Sequence, residues 1–131
     1  MVEAAHWALT RLSGPPFDLQ LSGLGTFCDR APSTLWAGVR DPAALKALQA
    51  RVLSALHGAG LMLERRRFRP HVTLARLGRL QAAEEERLAR FLSRFGAFPS
   101  PPFRVGDLGL WRSTLHRSGA VHDELARYPL G

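Results

Sequence analysis

The sequence predicts an α+β fold in a single domain of 131 residues. Apolar residues recur at helical spacing in some stretches and alternate at strand spacing in others, so both element types are expected. Hydrophobic residues make up 46% of the chain, which is the usual fraction in a globular protein with a hydrophobic core. Proline and glycine mark the boundaries between the stretches. We therefore expect helices and strands that share one core.

The first half predicts helix, strand, strand and helix. An opening helix with apolar positions at helical spacing stops at SGPP, residues 13–16. FDLQLSGLG and TLWAGV follow as strands. A second helix begins after Asp41 and Pro42, which suit an N-cap and a first helical turn, and it ends at Gly58 and Gly60.

The second half predicts strands on both sides of a third helix. LMLERRRFRPHVTLARL, residues 61–77, predicts a strand, a basic turn and a strand. The third helix follows and ends at Gly96, with the acidic run 84–86 as a solvated face of its first turns. PPFRVGDLGLWRSTL then predicts a strand with an irregularity at Gly106. A short helical or coiled tail is expected at residues 124–128.

Two stretches resemble each other, PPF at 15–17 and PPF at 101–103. Each follows an amphipathic helix and opens a strand that runs into Leu-Gly, which predicts a duplicated unit, although two proline-rich helix exits could coincide. His71 precedes Phe103 by 103 − 71 = 32 residues, so its counterpart in the first unit would fall near 17 − 32 = −15, upstream of Met1.

Charge and cysteine content limit the classes of partner. The 18 Lys and Arg residues outnumber the 11 Asp and Glu residues, and the net charge of +7 favours polyanions, nucleic acid first. An arginine-rich proteome would give a similar charge without that function. The lone Cys28 forms no internal disulfide, and no zinc pattern is present. With no apolar run of membrane-span length and no signal peptide, we expect a cytoplasmic protein without a membrane partner.

HVTL, residues 71–74, is the segment that carries chemistry. Period-two alternation places His71 and Thr73 on one face and the apolar pair Val72 and Leu74 on the other, where they would anchor the core. A histidine takes or gives a proton near neutral pH, and a threonine hydroxyl can donate to a phosphoryl oxygen. The polar pair would face a cleft. We expect Arg76 to project beside that cleft, where its planar guanidinium could bind a phosphate.

The structural alternative is that His71 only makes a hydrogen bond to a neighbour on its strand, since the pattern H-x-T occurs by chance. Phe68 and Trp111 could stack on a base, as aromatic residues do in single-stranded RNA sites, and Phe68 could instead lie in the core. His6 and Thr10 are four apart in a helical pattern, so His6 is predicted to lie on a helix surface. His116 and His122 fit no metal pattern and are predicted to be surface or loop residues.

RFRPHVTLAR resembles the second signature of the two-histidine phosphoesterases, specifically the RNA 2′,3′-cyclic phosphodiesterases, also called 2′-5′ RNA ligases. The order of the other segments is similar through to PPFRVGDLGLWRSTLHRSGAVHDELARYPL. This resemblance implies two similar lobes of antiparallel sheet plus helices around a central cleft. The first lobe, about residues 1–60, would be incomplete, because the first signature has no counterpart here, and residues 61–131 would form the second.

The resemblance also implies a function and a site. His71 and Thr73 would be catalytic, Arg76 would bind phosphate, and no metal or cofactor is implied. The family opens 2′,3′-cyclic phosphates of RNA to 2′-phosphates and, in the reverse direction with an RNA 5′-hydroxyl in place of water, makes 2′-5′ linkages. Because the reaction uses an acid and a base, we expect these 131 residues alone to be nearly inactive. Alternatives are a non-catalytic RNA-end-binding domain and an enzyme for small cyclic nucleotides or an ADP-ribose cyclic phosphate.

Overall fold

The computed structural model describes residues 1–27, 32–64 and 67–131, so Cys28 lies outside the described residues. It is an α+β fold of helices and antiparallel strands, as the sequence predicts. The elements in chain order are α1 (Val2–Thr10), β1 (Phe17–Phe27), β2 (Thr34–Arg40), α2 (Ala43–Gly58), β3 (His71–Arg76), α3 (Ala82–Phe95), β4 (Phe103–Val105), β5 (Asp107–His116) and β6 (Gly119–Pro129).

The chain divides into two compact units that interleave along the sequence. Unit 1 comprises Met1–Asp18, Ala44–Arg67 and Arg104–Gly131, and unit 2 comprises Leu19–Ala43 and Phe68–Phe103. These units do not coincide with lobes at residues 1–60 and 61–131, and the division into lobes stays a prediction.

The strands form a four-stranded sheet in the order β3-β2-β1-β4 and a separate hairpin of β5 and β6. Both β1–β2 and β2–β3 are antiparallel, and β3 is an edge of its sheet. The expected irregularity at Gly106 is confirmed, because the strand prediction splits there into β4 and β5, which belong to different sheets.

Two predictions of secondary structure are wrong. Residues 124–128 lie in β6, not in a helical or coiled tail, because the chain turns after His116 and pairs with β5 as far as Asp107 opposite Pro129. Residues 61–64 form no strand, because they close the end of α2 instead: the Leu61 N–H donates to the Leu56 carbonyl after Gly60, which has a φ of +86°.

Unit 1 has a small core in which α1 packs on β6. Leu9 and Tyr128 are buried at 4% and 6% exposure. Helical spacing predicts His6 on the surface, but this prediction is wrong. His6 is half-buried, because its Nδ1 makes a 2.8 Å hydrogen bond with the Tyr128 hydroxyl. Within the described ranges, no helix is long and apolar enough to cross a membrane.

Candidate active site

His71 and Thr73 lie on the same face of the unit 2 sheet, as alternation predicts. Across the β2–β3 pair, His71 lies opposite Gly38 and Thr73 opposite Trp36. Cross-strand partners point to the same face, and residues two apart on β2 share that face. Both side chains on β3 are exposed. The two polar groups are therefore neighbours on an accessible surface.

Arg76 reaches this face through an irregularity in β3. It is three residues from Thr73, so plain alternation would place it on the opposite face. The register shifts between these two positions: Ala75 lies opposite Leu35 and Arg76 opposite Thr34, which leaves Leu74 as an extra residue. Such a bulge restores Arg76 to the side of His71 and Thr73. The expected position of Arg76 therefore depends on a feature that the sequence pattern did not indicate.

We call this surface the histidine face. It consists of side chains from the three strands of unit 2 at positions that share one side by register: Gly25, Phe27, Thr34, Trp36, Gly38, His71, Thr73 and Arg76.

Trp36 covers the centre of the histidine face and lies over Gly25. A Cβ at Gly25 would be 2.5 Å from Cζ2 of Trp36, so a side chain there is incompatible with this indole position. The Phe27 ring contacts Trp36 at a centroid distance of 5.5 Å and meets the His71 ring edge-on at 5.0 Å. The imidazole therefore rests against an aromatic floor.

The ring orientation of His71 is fixed by its own backbone. Nδ1 lies 2.5 Å from the carbonyl oxygen of Arg69, two residues earlier. Because a carbonyl oxygen only accepts, Nδ1 must carry the proton in this bond. In the neutral ring Nε2 then holds the lone pair. This arrangement gives His71 the tautomer that a general base needs.

Positive charge surrounds the histidine. The guanidinium of Arg69 lies over the Phe27 ring, 5.7 Å from its centroid, and Arg76 is exposed on the histidine face. The ion pairs found among the described residues involve neither of these arginines. Both cations are therefore available to a phosphate.

The apolar pair of β3 does not anchor a core, contrary to the prediction. Val72 is 43% exposed and Leu74 52% exposed. The reasons are that β3 is an edge strand and that Leu74 is the extra residue of the bulge. Phe68, the proposed base-stacking residue, is 36% exposed in the segment before β3.

Two further histidines lie outside the histidine face. His116 and His122 are exposed on β5 and β6 in unit 1, on strands rather than in loops. Among the residues that the structure describes, no group of three His, Cys, Asp or Glu could hold a metal ion.

Sequence reasoning missed the aromatic floor. The sequence predicts Trp36 only as part of the strand TLWAGV, and Phe27 lies two residues beyond the predicted strand FDLQLSGLG. A signal existed in the pairs Gly25-x-Phe27 and Trp36-x-Gly38, where glycine and a large ring alternate on adjacent strands. A missing side chain on one strand leaves room for the indole on the next, but the pairing register is needed to see it.

Residues 3–117 match the family described as the 2′-5′ RNA ligase superfamily. An RNA 2′,3′-cyclic phosphodiesterase of Geobacillus stearothermophilus is 36% identical over 116 residues, which cover 88% of this chain and 35% of the relative. A second, from Aeropyrum pernix, is 33% identical over 112 residues, which cover 83% of this chain and 62% of the relative. The chain thus spans between about a third and three-fifths of these two relatives.

Solved structures show the same fold. The apo crystal structure of E. coli LigT superposes with a TM-score of 0.72 at 24% sequence identity, covering 98% of this chain and 67% of that one. The structure of E. coli LigT complexed with 3′-AMP gives a TM-score of 0.73 at 24% identity, with 98% and 68% covered.

Proposed function

Because the chain belongs to the 2′-5′ RNA ligase superfamily, we propose that the protein opens terminal 2′,3′-cyclic phosphates of RNA to 2′-phosphates, and that an RNA 5′-hydroxyl in place of water gives 2′-5′ ligation. His71 is the general base, Thr73 donates to a phosphoryl oxygen, Arg76 binds the phosphate and Phe68 stacks on the terminal base. The names of the two curated relatives support the hydrolytic direction.

The observation that carries this proposal is the hydrogen bond from His71 Nδ1 to the Arg69 carbonyl. It leaves Nε2 with a lone pair on the face that also presents Thr73 and Arg76. Nε2 takes a proton from water as the water oxygen attacks phosphorus. The P–O3′ bond breaks, and the 3′ oxygen takes a proton from an acid, which leaves a 2′-phosphate and a 3′-hydroxyl.

One histidine supplies one of these two proton transfers. His71-Val72-Thr73 is the one H-x-T of the sequence, so the acid must be a second group. The same observation favours a second candidate function, an RNA-end-binding domain that holds the cyclic phosphate without opening it. Binding by Arg76 and stacking by Phe68 would be retained in that case.

Chromatography of the products tests the proposal. An RNA oligomer and 2′,3′-cyclic AMP, each with the cyclic phosphate, are incubated with the longest form of the protein that the gene encodes and with the 131-residue chain. We expect 2′-phosphate products from the longest form and turnover at least ~10²-fold slower from the 131 residues alone, the scale of one proton-transfer group.

The other outcomes separate the alternatives. Tight binding without turnover by the longest form would establish the RNA-end-binding domain. Turnover of 2′,3′-cyclic AMP without turnover of the RNA oligomer would point to a small-nucleotide substrate. A 3′-phosphate product would contradict the proposed bond cleavage.

A further inference from the structure

A groove in unit 1 lies between α1 and α2. Its cavity volume is about 660 Å³, within the usual range for ligand sites. The residues that line it belong to unit 1, whereas His71 belongs to unit 2. Its lining is made mainly of small side chains from the two helices, Ala4, Ala8, Ala50, Ser54, Ala55 and Gly58. We call this surface the helix groove.

Two arginines give the helix groove a positive charge. Arg11 and Arg51 line it, both are exposed, and neither takes part in the ion pairs found among the described residues. No Asp or Glu occurs among its described lining residues. The Arg51 guanidinium lies against Gly14, where a Cβ would be 2.9 Å from Nη2. The absence of a side chain at Gly14 therefore lets Arg51 take this position.

An exposed tryptophan stands beside one of these arginines. Trp7 lines the helix groove and is 64% exposed. It precedes Arg11, the C-cap residue of α1, by four residues, and the helical backbone of Arg11 keeps the two side chains neighbours on one side of the helix. An indole beside a guanidinium matches the two parts of a nucleotide, because the ring stacks on a base and the cation pairs with a phosphate.

We infer that the helix groove binds a nucleotide of single-stranded RNA, with the phosphate on Arg11 and Arg51 and the base stacked on Trp7. This site is distinct from the histidine face and needs no cyclic phosphate. It rests on the proposed function only in the choice of RNA. Charge decides this occupant over a protein helix, because two free guanidinium groups suit phosphates better than an apolar helix face.

The probe is a fluorescein-labelled ten-nucleotide oligoadenylate with an ordinary 3′-hydroxyl, whose binding is followed by anisotropy at several salt concentrations. Arg11→Gln and Arg51→Gln should each flatten the slope of log K against log salt by ~0.7. Trp7→Leu should raise Kd at least about fivefold, the lower end for loss of one stacked base. Gly14→Ala should weaken binding less than Arg51→Gln does, because the new Cβ shifts the flexible guanidinium but leaves its charge in place.

Matched controls lie in the same unit but outside the helix groove. Arg117→Gln removes an exposed arginine from the β5–β6 turn, and Leu115→Ala removes an apolar side chain that is 86% exposed. Both should change Kd by less than about twofold, as expected for side chains without a contact to the RNA. All variants should keep the circular dichroism spectrum and unfolding temperature of the parent.

Two results would overturn the inference. One is unchanged binding in Trp7→Leu and in both arginine variants. The other is an equal loss of binding in the controls, which would show that the net charge of +7 attracts RNA without a specific site. Turnover of 2′,3′-cyclic AMP by the same variants separates this site from the histidine face. Turnover should persist when Trp7 is changed. If RNA binding depends on Trp7 but the protein shows no turnover, the proposed function is wrong and the inference about the helix groove still holds.

Discussion

The imidazole of His71 donates its Nδ1 proton to the backbone carbonyl of Arg69. The acceptor is part of the main chain two residues earlier, so ring orientation follows from the local backbone before β3. Edge-on contact with Phe27 supports the ring from the neighbouring side. Pro70, between the two partners, restricts Arg69 to extended backbone and helps to place the carbonyl.

This hydrogen bond predicts the tautomer of His71. In a ¹⁵N-labelled sample at a pH where the rings are neutral, long-range ¹H–¹⁵N spectra should show His71 with the proton on Nδ1. His122 is the control, because it is exposed and its ring makes no hydrogen bond among the described residues. A His71 spectrum with the proton on Nε2, or a tautomer ratio equal to that of His122, would contradict the assignment of Nε2 as the base.

The bulge at Leu74 predicts that Arg76 contacts phosphate. Binding of an RNA that ends in a cyclic phosphate should weaken with salt, and Arg76→Gln should flatten the slope of log K against log salt by ~0.7, one phosphate contact of a single strand. Arg79→Gln is the matched control, since Arg79 is exposed and follows β3. If the two variants give the same slope as the parent, Arg76 makes no phosphate contact.

The position of Trp36 over Gly25 predicts a steric cost. In Gly25→Ala the new Cβ would lie 2.5 Å from Cζ2 of the rigid indole, so the ring or the strand must move. We expect the free energy of unfolding to fall by about 1–3 kcal/mol, measured in urea. Gly78→Ala is the control, because no atom lies within 4 Å of its new Cβ, and it should have little effect. Equal stabilities for the two variants would show that the indole does not occupy this position.

Tyr128 predicts a loss of stability in alkali. Burial raises the pKa of Tyr128 in the folded protein, whereas the unfolded chain should titrate near pH ~10. Below that pH both states keep the proton and the contribution is complete. As pH rises from about 10 through the raised folded pKa, the unfolded state loses its proton first and stability falls.

Tyr128→Phe removes that titration and the hydrogen bond to His6. The variant should be less stable by about 0.5–1.5 kcal/mol at neutral pH, the usual net worth of one hydrogen bond. Its stability relative to the parent should then improve above pH ~10. Because the chain has one tyrosine, urea unfolding of the two proteins at each pH isolates this group. A constant difference across the pH range would contradict the prediction.

Local signals predicted most of the elements that position the site. The alternation in HVTL and the proline before it predicted β3, and register confirms that His71 and Thr73 share a face. Short-range pattern failed where the outcome depends on a distant partner. Residues 124–128 are a strand because they pair with the start of β5, and the Ser118-Gly119 turn signal does not show how far that hairpin extends.

The same limit applies to the site. The bulge that turns Arg76 toward the histidine face is a property of pairing between β3 and β2, so the strand's own sequence does not reveal it. The exposure of Val72 and Leu74 follows from the edge position of β3 in strand order, which alternation also does not contain. Apolar alternation shows which residues share a face, and tertiary structure decides whether that face is covered.

The most direct test of proton transfer by His71 is the rate at which 2′,3′-cyclic AMP is converted to 2′-AMP, followed by chromatography. His71→Ala is compared with the parent in the longest form of the protein that the gene encodes, and His122→Ala serves as the matched control. We predict that His71→Ala lowers turnover at least ~10²-fold with an unchanged circular dichroism spectrum, while His122→Ala retains the parent's rate. Turnover by His71→Ala close to that of the parent would contradict the account.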